Sequence, residues 1–82
     1  MGHSADPKIK HLPAKLLAIR QSLGLSMPQM FQLLTPLKGH YHRVSEFESG
    51  RRVPNVLVLL AYARAAKLPL ESIVDDEIEL KF

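Results

Sequence analysis

The chain has 82 residues, a net charge of +3 and no cysteine. That is one small domain, close to the size below which a core needs staples, with neither a disulfide framework nor a thiolate metal site available. The longest apolar run, 56–63, is eight residues, too short for a membrane span, and 1–10 carries Lys with no apolar stretch behind it, unlike a secretion signal. A cytoplasmic globular domain is the expectation. The charge is uneven. Residues 1–55 hold eight Lys/Arg against three acids, and 56–82 hold three against five. A basic end and an acidic end form a common footprint of a polyanion binder with a separate assembly or solvating surface.

The punctuation divides the chain into a flexible N-terminal arm (1–12), a helical domain (13–75) and a C-terminal tail (76–82). Leu16, Leu17, Ile19 and Leu23 recur at helical spacing over 14–23, Pro13 suits the first turn, and Gly24 suits the left-handed cap. Ser26 with Gln29 three residues on has capping-box spacing, so a second helix starts there, with Met30, Phe31, Leu33 and Leu34 as its apolar face. Pro36 and Gly39 force a turn. A third helix is expected over 40–49, with Val44 and Phe47 inward and Gly50 as cap. Asn55 is a good N-cap for a fourth helix over 56–67, which is apolar nearly all round and therefore expected at the centre of the bundle. Leu68-Pro69 breaks it, and 70–75 reads as a fifth helix with Leu70, Ile73 and Val74 inward. In the tail, Ile78, Leu80 and Phe82 alternate with charges, as in a short strand or an extended segment packed on a neighbour.

The fold class is therefore all-α: a compact five-helix bundle whose second and third helices, joined by a Gly-containing turn, have the helix-turn-helix arrangement. Chemistry is densest in "GHYHRVSEFESGRR" (39–52). His40-x-His42 with Glu46 suggests a metal ligand set, but His40 and His42 point different ways if both are helical, and no second ligand cluster accompanies them. A catalytic set lacks a nucleophile with its base, and a phosphate loop is missing. What remains is a solvated helix face with Val44 and Phe47 inward, and the question whether that face also touches a charged partner.

Three stretches carry a family resemblance: "LLAIRQSLGLS" (16–26), "VSEFESGRRVPN" (44–55) and "LLAYARAAKLPLESIVDD" (59–76). In order and spacing the chain resembles the phage-repressor-like (Xre/Cro-type) helix-turn-helix family, the lambda-repressor-like DNA-binding fold, over about 60 residues. The resemblance implies a structural ion pair between Arg20 and Glu48. It also implies a recognition helix in the major groove that turns His40, Tyr41, His42, Arg43 and Glu46 toward DNA, with Ser45 toward the backbone. Arg43 suits guanine O6/N7 or a phosphate, Glu46 suits cytosine N4, and Arg51 and Arg52 suit phosphate clamps, with Lys8 and Lys10 adding arm contacts. Met27 and Pro28 replace the family's usual Gln and its neighbour, Phe31 replaces a small residue, and the link to the third helix is longer than the common form. The implied function is sequence-specific binding of double-stranded DNA by a homodimeric, non-enzymatic transcriptional regulator without cofactor or metal. The fifth helix and the tail are the expected dimer surface, since Ile78, Leu80 and Phe82 would otherwise be exposed. The alternative is a protein-interaction module, antitoxin-like or adaptor, that keeps the fold and binds a protein partner.

Overall fold

A computed structural model describes residues 9–34 and 38–82. Five helices follow in order, α1 (Leu12–Leu23), α2 (Met27–Leu33), α3 (His42–Ser49), α4 (Val56–Ala66) and α5 (Leu70–Val74), with no strand among the described residues. Local chemistry sets most of their ends. Ser26 Oγ accepts from Gln29 N–H while Gln29 Oε1 accepts from Ser26 N–H, a complete capping box on α2. Asn55 Oδ1 accepts from Val58 N–H at 3.0 Å and starts α4. Gly24 and Gly50 close α1 and α3 at φ 70° and 82°, a region that costs glycine nothing.

The core is a single cluster fed by every helix: Leu12, Leu16 and Ile19 of α1, Met30 of α2 with Leu34, Val44 and Phe47 of α3, Val58, Leu59, Tyr62 and Ala63 of α4, and Ile73 of α5. The centre is shared. α1 touches α3, α4 and α5, and α4 touches α1, α2 and α5. α4 lies centrally, as its composition implied, but Val56 and Leu57 at its start are each 58% exposed. Phe31 lies half-buried against the edge of the core, beside Met27.

Other boundaries also move. α1 begins before residue 14 because a distant residue caps it: the Asp76 carboxylate accepts the N–H groups of Lys10 and His11 at 2.8 and 3.0 Å. α3 begins after residue 40 because the His40 side chain stands in for a cap, its Nδ1 accepting from His42 N–H at 3.1 Å. α4 ends on Lys67 in the left-handed conformation, φ 58°, one residue before the Leu68-Pro69 breaker can act.

Residues 10–15 and 72–78 are held together, which bears on the expected division into arm, domain and tail. Residues 1–8 lie outside the described residues. Ile9 packs on the core and Leu12 is buried, so the arm does not extend to 12. Lys15, 93% buried by its 7% exposure, points its ammonium at the carbonyls of Ser72, Asp75 and Ile78 at 2.8, 2.8 and 2.6 Å. Those carbonyls lie at the end of α5 and in the turn beyond it, where an ammonium satisfies orphan acceptors. Lys15 caps α5 and Asp76 caps α1, a reciprocal arrangement. The tail is neither a strand nor free: Leu80 turns onto the chain's own core, leaving Ile78 and Phe82 exposed at 37% and 69%.

Candidate nucleic-acid interface

α3 is built with two faces. Val44 and Phe47 are buried, and Glu48 turns inward beside them. Arg20 meets Glu48 in a two-pronged pair, Nε to Oε2 at 2.7 Å and Nη2 to Oε1 at 3.0 Å, with side chains only 16% and 6% exposed. A third donor, Nη1, reaches the Leu25 carbonyl at 3.0 Å. The guanidinium thus ties α1, the α1–α2 turn and α3 together. Its hydrogen bond to Glu48 raises the Arg20 pKa further, against the opposing effect of burial. Tyr62 sits beside this pair with its hydroxyl buried and without a hydrogen-bond partner among the described residues. Burial, assisted by the Glu48 charge, pushes its pKa up and keeps it protonated.

The opposite face is open. At 3.6 residues per turn, His42 and Glu46 fall on one line, directly away from Val44 and Phe47, with Ser45 and Ser49 flanking them. His42 and Ser49 are exposed; Ser45 and Glu46 are half-exposed. Ahead of the helix, His40, Tyr41 and His42 gather into a three-ring cluster, with centroid separations of 4.2, 4.3 and 5.2 Å. The divergence expected of His40 and His42 if both were helical does not apply: His40 precedes the helix, and its ring folds over the first turn. No group of three or more His, Asp or Glu stands close enough to hold a metal ion among the described residues.

The basic residues divide. Arg51 is exposed, with no side-chain partner among the described residues. Arg43 is half-buried and folds back over the turn, its Nε only 3.3 Å from where a Cβ on Gly39 would lie. Arg52 is already engaged: its Nε donates to Glu46 Oε1 at 3.2 Å, an exposed ion pair. The backbone sets this up. After the left-handed turn at Gly50, the N–H groups of Arg51 and Arg52 both return to the Glu46 carbonyl, at 3.0 and 3.3 Å. Arg52 therefore shares its guanidinium with Glu46 through Nε.

Neither the Lys15–carbonyl cap nor the Asp76 cap was expected from the sequence. The signal for Lys15 was its place on the inward line of α1, between Leu12 and Leu16 and four residues before Ile19. Asp76 carried no local signal. No helix of the described residues is long and apolar enough to cross a membrane. No protein-family model matches the sequence, and comparisons with curated proteins and with solved structures return no match.

Proposed function

We propose that the chain is a lambda-repressor-like helix-turn-helix domain that binds double-stranded DNA and regulates transcription, with α2 and α3 as the motif and α3 as the recognition helix. The observation that carries this is the Arg20–Glu48 pair. It fixes one side of α3 to α1 and leaves the other side, His42, Glu46 and Ser49, facing outward with Arg51 at its end. That side belongs to the basic two-thirds of the chain. Arg51 supplies phosphate contact, and the α3 face supplies base-edge contact. A homodimer on a (pseudo)palindromic site fits this reading. With Leu80 turned inward, the tail offers Ile78 and Phe82 for its apolar contact.

The test is a titration of random-sequence and selected duplexes with the whole chain across a salt series. A linear fall of log affinity with log salt supports the proposal, and no binding at low salt contradicts it. A second reading, a protein-interaction module, is favoured by the open groove lined by Leu23, Leu25, Leu33, Ala61, Arg64 and Ala65. The absence of duplex binding in the same titration would favour it.

A further inference from the structure

We propose that Glu46 reads a cytosine in the major groove and that Arg52 is its positioning residue, held to the carboxylate rather than to a phosphate. This deepens the DNA-binding reading and rests on it.

A carboxylate at the middle of a face that meets a polyanion is unfavourable unless two conditions hold. Its charge must be offset nearby, and its free oxygen must meet a donor. The first is provided here, and the second is left for the base to supply. Arg52 Nε engages Oε1 at 3.2 Å, and Oε2 has no hydrogen-bond partner among the described residues. The pairing is anchored in the backbone, because the carbonyl of Glu46 itself accepts the N–H of Arg52. The backbone of Arg52 is therefore held close to that of Glu46, within reach of its carboxylate. Withdrawing Arg52 to a phosphate would strip the offset from Glu46 at the moment the DNA charge arrives.

The major-groove edges then select the base. Guanine presents two acceptors, and thymine presents an acceptor and a methyl group. Adenine carries the N7 acceptor on the same ring edge as its N6 donor, while cytosine presents its N4 amino group as a donor with no acceptor of its own on that edge. A carboxylate with one oxygen free matches cytosine. Phosphate contact from the loop falls to Arg51, whose guanidinium is uncommitted among the described residues.

The experiment is selection from a random duplex pool, followed by salt-series titrations, using the full chain as wild type, Glu46→Gln, Arg52→Ala and Arg51→Ala. Circular dichroism confirms that each variant is folded. Wild type is expected to enrich a C·G pair at one position of each site. Glu46→Gln moves that position toward A·T, since glutamine pairs with adenine N6 and N7. Arg52→Ala keeps the salt slope and weakens the preference at that position, on the order of ten-fold. Arg51→Ala lowers the slope by about one and leaves every base preference in place. The inference is overturned if Arg52→Ala lowers the slope by about one with base preference retained, or if Glu46→Gln shifts no position. Wild type that binds no duplex at low salt overturns the DNA-binding reading itself, and this inference with it.

Discussion

The seam where α1 meets α5 and the outward face of α3 both carry charged side chains, and they use them in opposite ways. At the seam, all three ammonium hydrogens of Lys15 are matched by carbonyls of the same chain, and both Asp76 oxygens accept backbone N–H groups. On the α3 side, Arg51 and Glu46 Oε2 have no such partners among the described residues, and the His40–Tyr41–His42 rings lie open. Polar groups that are internally matched hold the fold. Polar groups left over on a rigid face are where a partner gains the most. Glu48 and Arg20 stand between the two regions, joining the scaffold to the helix it presents.

Substitutions should separate the regions, and the junction should be costliest. Glu48→Ala leaves Arg20 charged and largely buried without its partner. It is expected to lower unfolding free energy by about 3 kcal/mol in urea titrations and to loosen α3, so that stability and DNA affinity fall together. Lys15→Met strips a charged donor from three carbonyls. A loss of about 2 kcal/mol is expected, with DNA affinity unchanged when measured well below the melting temperature. If Lys15→Met impaired DNA binding as strongly as stability, the separation between seam and face would fail. Lys67→Gly relieves the left-handed strain at φ 58° and is expected to stabilise by about 0.5–1 kcal/mol.

The positions that sequence reading located and those it missed differ in the range of the interaction responsible. Ser26 with Gln29, Asn55, Gly24 and Gly50 act within a few residues, and their spacing alone places the helix ends. Lys67 defeated the same logic because a non-glycine residue takes the cap conformation, and His40 defeated it because histidine is outside the usual capping set. Asp76 reaches Lys10 and His11 across 66 and 65 residues, a contact that no local pattern encodes. In the candidate site, Val44 and Phe47 were legible from their spacing. The Arg52–Glu46 pair was not, because the chain reversal at Gly50 brings together residues six apart that no helical repeat would align.

Asp76 offers a pH test of the seam. The His11 N–H bond, with help from the Lys10 N–H and the nearby charges of His11 and Lys15, holds its carboxyl below the usual range against a smaller opposing effect of burial. A depressed folded value means that the stabilisation is complete above the unfolded carboxylate value of about 3.9 and is lost as pH falls through the folded value. The stability difference between wild type and Asp76→Asn should therefore be constant at neutral pH and shrink below about pH 4, as read from thermal melts at stepped pH. A difference that grew with acidity would contradict this. Arg51→Ala should have the smallest effect on folding, within about 0.5 kcal/mol, while lowering the DNA salt slope by about one.

The contrast between an internally matched seam and an open face is tested most directly by titrating the isotopically labelled chain with a short duplex and mapping amide shift changes. Changes are expected over residues 40–52, centred on His42, Glu46 and Arg51, with the amides of Lys10, His11, Ser72 and Ile78 unmoved. Changes concentrated at the seam, or none at low salt, would contradict the assignment of α3 as the DNA-facing element.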